Sequence, residues 1–293
     1  MIPVFRTLEK VLDSDTTVLI EGESGTGKDA LAQWLHANSS RKHAPLIKLD
    51  LGSLPEELVE SELFGYERGA FTGAQETKLG KFDLAQGGTI VIDEIANVDM
   101  KIQAKLLHVV EAKEFFRLGG SRPVTLDSRI VALSGAPLAA AVERKTFRQD
   151  LFFRLNLIHV RVPSLRERRN ELLEIAARLI AQLDRKYGGS TQLAEECHSI
   201  LLNYDFPGNV RELRNGLERA LLMTNNARIT PGLLPPNWLL ARGSGKLPSL
   251  EDIEREYIAQ VLNQTRGKKT KAAEVLGISR KTLLEKRKKY GLE

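Results

Sequence analysis

"TTVLIEGESGTGKD", Thr16 to Asp29, is the stretch whose reading decides the fold. An apolar, β-branched run reaches Ile20, a glycine-rich loop follows, and a helical pattern takes over across Asp29–Asn38. Gly22, four residues, Gly27 and Lys28 make the spacing of a phosphate-binding loop. Glycines let the backbone N–H groups curl around β- and γ-phosphates, and the helix N-terminus adds its dipole. Lys28 supplies a point charge for the same phosphates. The candidate nucleotide ligands are therefore Gly22, Glu23, Ser24, Gly25, Thr26, Gly27, Lys28 and Asp29. Asp29 is a departure, because the generic motif ends in a serine or threonine that ligates magnesium.

Working outward, strands are expected at Thr17–Glu21, Leu46–Asp50, Thr89–Asp93, Arg129–Ser134 and Leu157–Val162, with helices such as Asp29–Asn38 and Lys101–Glu111 between them. That alternation predicts an α/β subdomain over 1–163, a parallel sheet covered on both faces. "GGTIVIDEI", Gly87 to Ile95, supplies the second half of a nucleotide site. An apolar strand ending in two carboxylates suits Asp93 as the magnesium holder and Glu94 as the group that polarises an attacking water. Both motifs together imply ATP hydrolysis with ATP and Mg2+ as cofactors. The plainer reading, an acidic strand end capping the next helix, leaves the partner motif unexplained.

From 164 to 240 the β signal vanishes. Amphipathic helices at Glu171–Tyr187, Ala194–Asn203 and Val210–Thr224 predict a helical lid. Residues 241–248, rich in Gly and Ser, read as a linker. Three short helices are expected in 249–293: Leu250–Gln264, Lys269–Leu276 and Ser279–Tyr290. From Lys246 onward there are 12 Lys and Arg against 7 Asp and Glu, so the last 48 residues carry all of the chain's formal +5. A compact basic end on a neutral body is the footprint of a nucleic-acid-binding module. "TKAAEVLGISRKTLLEKRKKYGL" has a helix–turn–helix plan in which Gly277 turns, Ser279 caps, and the second helix presents Arg280, Lys281, Thr282, Lys286 and Arg287 to double-stranded DNA. A merely solvated basic helix is the bland alternative.

The 293 residues are 42% hydrophobic and 28% charged, which excludes wholesale disorder. No apolar run is long enough for a membrane span or a secretory signal. The single cysteine, Cys197, excludes an internal disulfide and a zinc cluster and reads as a small residue packed in a helix. Together these features point to the cytoplasm.

Two further phrases bear on catalysis and one on partners. "FRQDLFFRL" places Arg148 and Arg154 six residues apart, and "FPGNVRELRN" starts a helix at Arg211, expected to face the nucleotide, with Asn209 available as a cap. Arginines of this kind act in trans as fingers that neutralise transition-state charge. "RGAFTGAQ", Arg68 to Gln75, suits neither helix nor strand and reads as a loop offering Phe71 and Thr72 outward.

With these phrases in hand the chain resembles the bacterial enhancer-binding proteins, the AAA+ activators of sigma-54-dependent transcription, with a Fis-type helix-turn-helix. The resemblance covers nearly the whole chain and rests on "GESGTGKD", "SELFGYERGAFTGA", "GGTIVIDEI", "FRQDLFFRLN", "VPSLRER" and "FPGNVRELRN". It implies that Gly69, Ala70, Phe71, Thr72, Gly73 and Ala74 contact sigma-54 RNA polymerase, with Phe71 and Thr72 foremost. It also implies a homo-oligomeric ring, by expectation a hexamer, Arg154 as the finger with Arg148 as runner-up, and no membrane partner. The chain shows no sensory domain ahead of the ATPase, which implies either regulation by a partner in trans or a fragment. Two positions break the family pattern. Ser134-Gly135 stands where the family has Thr-Asn, whose asparagine senses the γ-phosphate, and Asp50 stands where an asparagine holds the Walker B glutamate. They keep a rival reading open, a DNA-binding regulator whose weakened or vestigial ATPase serves assembly. A generic unfoldase or helicase loader would explain neither the loop nor the basic end.

Overall fold

A computed structural model of the chain describes residues 1–224, 228–240, 250–265 and 268–291. The linker expected at 241–248 lies outside the described residues. Close contacts divide the chain into two units, one of 1–168 with 206–213 and one of 169–205 with 214–293.

The first unit is built on five parallel strands, β1 (Val18–Glu21), β2 (Leu46–Asp50), β3 (Thr89–Asp93), β6 (Arg129–Ser134) and β7 (Ile158–Arg161). Their order across the sheet is β2-β3-β6-β1-β7. The middle strands are apolar at successive positions because both faces are buried, and the two faces sort by parity. Leu19, Ile90, Ile92, Ile130 and Ala132 face one core. It is closed by Val59 and Leu63 of α3 (Glu56–Phe64), Phe82 of α4 (Lys81–Leu84), Leu106 of α5 (Met100–Ala112), Leu138 of α6 (Leu138–Glu143) and Leu151 of α7 (Gln149–Leu155). Val18, Ile20, Val91, Val131 and Leu133 face the other core, against Leu8 of α1 (Ile2–Glu9) and Leu31 and Leu35 of α2 (Lys28–Ala37). Burying each of these side chains contributes roughly 1.5–3 kcal/mol. An antiparallel pair, β4 (Glu114–Phe116) with β5 (Pro123–Thr125), was not expected, since three-residue strands show too little alternation to register.

Parallel pairing brings the carboxyl ends of the strands to one edge. Asp50 lies opposite Asp93, and Glu21 opposite Ser134. The phosphate loop, Asp93-Glu94, Asp50 and Gly135 therefore converge there, although they are scattered over more than 100 residues of chain.

The second unit holds α8 (Arg169–Tyr187), α9 (Glu196–Asn203), most of α10 (Asn209–Met223) and α11 (Pro236–Leu240). The expected absence of β structure over 164–240 is corrected by one parallel pair, β8 (Gln192–Leu193) with β9 (Arg228–Ile229), too short to show a period. Cys197 is buried in α9 and burial pushes its thiol up to about 11, as befits a packed side chain. At the C-terminal end, α12 (Leu250–Gln264), α13 (Lys269–Val275) and α14 (Arg280–Tyr290) enclose Ile258, Val261, Ala272, Ala273 and Leu283.

Candidate nucleotide site and exposed loop

The phosphate loop leaves β1 at Glu21 and enters α2 at Lys28. Lys28 is 7% exposed, and its ammonium donates to the carbonyls of Gly22 (2.7 Å) and Glu23 (3.2 Å) across the mouth of the loop. Burial lowers its pKa, while Glu94, Asp93 and Asp29 oppose that shift. The Thr26 hydroxyl donates to the Glu23 carbonyl at 2.8 Å and braces the turn. Gly25 must be glycine: its φ is +77°, and a Cβ there would lie 2.4 Å from the Gly208 carbonyl.

The segment Phe206–Leu213 belongs to the same unit and grips this loop from behind. Asn209, fully buried, donates to Glu23 Oε2 (3.1 Å) and to the Ser24 carbonyl (3.0 Å), and accepts from the Leu165 N–H (2.8 Å). Its φ of +51° turns the side chain across to the loop, so the cap expected of Asn209 is not made. Instead Glu212 accepts the Gly208 N–H at 2.8 Å. Arg211 donates to Ser24 Oγ at 2.6 Å, placing its guanidinium beside the phosphate loop. The Glu23 side chain turns to Arg166 and Asn209, which together hold its carboxyl down at about 2. Among the predicted ligands Glu23 therefore serves the loop's shape through its side chain, leaving its backbone for phosphate.

At the end of β3, Asp93 Oδ1 accepts the Glu94 N–H at 2.9 Å and Asp93 Oδ2 meets the Lys48 ammonium at 2.9 Å. Glu94 sits at φ +53°, a left-handed conformation that costs a non-glycine residue roughly 1–2 kcal/mol. Its carboxylate lies over Gly135, where a Cβ would be 3.1 Å from both Oε1 and Oε2. The glycine leaves that room to Glu94. Asp50 Oδ1 accepts the Gly52 N–H at 3.0 Å. A Cβ on Gly52 would lie 3.4 Å from Asp50 Oδ1, 3.4 Å from Glu94 Cγ and 3.5 Å from Asn97 Nδ2, so all three side chains border one small space. The residues fit magnesium-bound nucleotide: an ammonium and backbone N–H groups for phosphate, and Asp29 and Asp93 already gathered about one cation, the Lys48 ammonium. Lys48 and Asn97 carried no sequence signal, since neither belongs to a spaced motif.

The Gly69–Ala74 loop is a closed turn, with the Gly69 N–H donating to the Ala74 carbonyl at 2.8 Å and the Ala74 N–H to the Phe71 carbonyl at 3.0 Å. Phe71 is 48% exposed, its ring edge-on to Tyr66 at 4.9 Å, and Thr72 is exposed beside it. Ala74 is buried, so it closes the turn rather than facing outward, a correction to the contact set expected from the resemblance. Arg117 anchors the loop's base to Glu67 (2.9 Å) and Asp83 (2.7 Å).

Comparison with known families settles the class. The sigma-54 interaction domain matches residues 1–161, the AAA+ ATPase lid domain residues 166–248, and the bacterial regulatory protein Fis family residues 249–290. The chain belongs to the sigma-54 activator family. It is 38% identical to the transcriptional regulatory protein FlbD of Caulobacter vibrioides, over 98% of this chain and 68% of that protein. It is 42% identical to the transcriptional regulatory protein ZraR of Salmonella typhimurium, over 94% of this chain and 64% of that one. The crystal structure of NtrX from Brucella abortus in complex with ATP superposes with a TM-score of 0.74 at 31% identity, covering 100% of this chain and 68% of NtrX. The chain thus spans about two thirds of these relatives.

In this sigma-54 activator family member the two candidate fingers flank one short helix. Arg148, at the start of α7, pairs with Asp150 at 2.8 Å, and Arg154, near its end, pairs with Glu111 at 2.6 Å while 61% of its side chain stays exposed. Among the described residues both bind carboxylates outside their own phosphate loop.

In the Fis-type module Ser279 caps α14 by accepting the Thr282 N–H at 3.0 Å, and Gly277 turns the chain at φ +64°. Arg280 and Lys281 are exposed at the helix's N-terminal end. Thr282 shares its hydroxyl with Ser279 at 2.8 Å, and Arg287 is half-buried. Lys286 is tied to Glu254 of α12 at 2.5 Å, and Tyr290 donates to the same carboxylate at 2.6 Å. Lys286 thereby serves the packing of the module as well as any DNA contact. Among the described residues no helix is long and apolar enough to cross a membrane.

Proposed function

We propose that the chain is an ATP-driven activator of sigma-54 RNA polymerase that binds DNA upstream of its promoters. One observation carries the reading: the hydrolytic pair Asp93-Glu94 and the phosphate loop share a sheet edge in the domain that also displays Phe71 on a closed, exposed turn.

In the proposed cycle the Gly22–Gly27 backbone and Lys28 hold the β- and γ-phosphates, and Arg211 approaches from beside Ser24. Magnesium, held by Asp93, would neutralise charge on the phosphate oxygens. Glu94 takes the proton of the attacking water. In a homo-oligomeric ring, Arg154 of one subunit, with Arg148 as the alternative, completes the neighbour's site, a device worth roughly 10³–10⁵ in rate where such fingers have been measured. Hydrolysis then moves the Gly69–Ala74 turn, which remodels the closed polymerase complex through Phe71 and Thr72. Arg280, Lys281, Thr282 and Arg287 hold the DNA. The cytoplasm follows as the location from these partners.

Replacing Phe71 and Thr72 by a Gly-Ser pair tests the reading. ATPase activity should persist while open-complex formation at a sigma-54 promoter is lost. Open complexes forming at the normal rate would overturn it.

A second reading is favoured by Gly135 and Asp50, neither of which offers Glu94 a side-chain amide donor. On that reading the ATPase is vestigial and serves only assembly. Steady-state hydrolysis at background level, with promoter DNA binding intact, would establish it.

A further inference from the structure

Lys48 projects from β2, between the phosphate loop and the end of β3. Its ammonium is 2.5 Å from Asp29 Oδ1 and 2.9 Å from Asp93 Oδ2. Asp29 is the residue that replaces the usual magnesium-binding hydroxyl, directly after Lys28. Asp93 is the Walker B carboxylate, its side chain 12% exposed and its other oxygen occupied by the Glu94 N–H. One protein ammonium therefore bridges the two carboxylates nearest the metal side of the site.

We propose that Lys48 is an internal counter-cation, which holds Asp29 and Asp93 together in the nucleotide-free subunit and must yield Asp93 to magnesium when nucleotide loads. Two like charges brought this close without a cation repel strongly, so some positive group has to stand between them. An ammonium does so reversibly, because it is monovalent and sits on a flexible four-carbon stem. The consequence is competition. Magnesium has to displace the Lys48 contact, which weakens its hold on the free site and ties its arrival to the phosphates that repay the displacement. The inference rests on the reading of Asp93 as the metal carboxylate.

The test measures binding of N-methylanthraniloyl-ADP to the full chain, with MgCl2 and with EDTA, and compares the two affinities. In Lys48→Met, which keeps the stem and removes the charge, the magnesium-to-EDTA affinity ratio should rise roughly tenfold over wild type. That figure takes two partly exposed ion pairs, each worth about a factor of three. Lys48→Arg, which keeps the charge, should stay near the wild-type ratio. Asp93→Asn should bring the ratio close to one. An unchanged or smaller ratio in Lys48→Met, with Asp93→Asn still collapsing it, would overturn the role of Lys48 alone. A ratio unaffected by Asp93→Asn would overturn the metal reading beneath it. Because loss of a merely structural lysine lowers affinity under both conditions alike, the ratio separates competition from misfolding.

Discussion

Asn209→Ala should damage the phosphate loop from outside it, because this side chain clasps the loop's backbone. Three hydrogen bonds end on this fully buried side chain: from Leu165 N–H, to Glu23 Oε2 and to the Ser24 carbonyl. Truncation strands the buried Leu165 donor, at about 1–3 kcal/mol for a buried group left unpaired, and removes the bond to Ser24, an exposed residue, at roughly 1 kcal/mol. A further cost of roughly 1 kcal/mol arises because alanine tolerates φ +51° less well than asparagine. The expected loss for the first unit is about 3–5 kcal/mol. Asn209→Gly keeps the hydrogen-bond loss but removes the backbone term, so it should recover roughly 1 kcal/mol relative to Asn209→Ala. The chain has two tryptophans, Trp34 in the first unit and Trp238 in the second. Urea unfolding in a Trp238→Phe background, followed by Trp34 fluorescence, isolates the unit in question and avoids treating the whole chain as two-state. ADP affinity should fall together with stability, since the same bonds set the loop's shape. A loss below about 1 kcal/mol for Asn209→Ala would refute the idea that this clasp supports the loop, and equal values for alanine and glycine would refute the strain assignment.

Three other expectations concern hydrolysis and DNA. Arg154→Ala should abolish ATPase activity yet be rescued by mixing with Lys28→Ala subunits, which cannot bind nucleotide but still present Arg154; absence of rescue at every mixing ratio would place Arg154 in its own subunit's structure. Gly135→Asn combined with Asp50→Asn should raise both turnover and its stimulation by sigma-54. The Gly135 change has to push the Glu94 carboxylate aside by a few tenths of an ångström, and no change in either quantity would show that wild-type turnover is not limited at these positions. Arg280→Ala should relax operator preference, while Lys288→Ala, on the exposed face of α14, should weaken binding evenly across sequences and flatten its salt dependence; a salt-independent wild-type affinity would contradict phosphate contacts.

Much of the architecture was legible in the chain because it follows from local rules. A strand interior buried on both faces is apolar at successive positions, so Val18 to Ile20 of β1, Ile90 to Ile92 of β3 and Ile130 to Leu133 of β6 stand out as unbroken runs. A glycine-rich turn between strand and helix has one common use, and Ser279 three residues before Thr282 is a cap that any helix start would employ. Two-residue strands such as β8 and β9, and the β4–β5 pair, have no period to detect.

The site's finer chemistry depended on tertiary structure. Asn209 looked like a helix cap until a left-handed φ carried it to Ser24, 185 positions away in the chain. Lys48 belongs to no motif, yet parallel pairing of β2 with β3 sets it beside Asp93. The pairing of Lys286 with Glu254 of α12 likewise has no trace in the local sequence. Sequence by itself determines periodicity, turn chemistry and the spacing of the phosphate-loop motif, since each acts within a few residues. Which charges meet is decided by long-range packing, because hydrogen bonds and ion pairs fall away within a few ångströms and only the folded chain sets those distances.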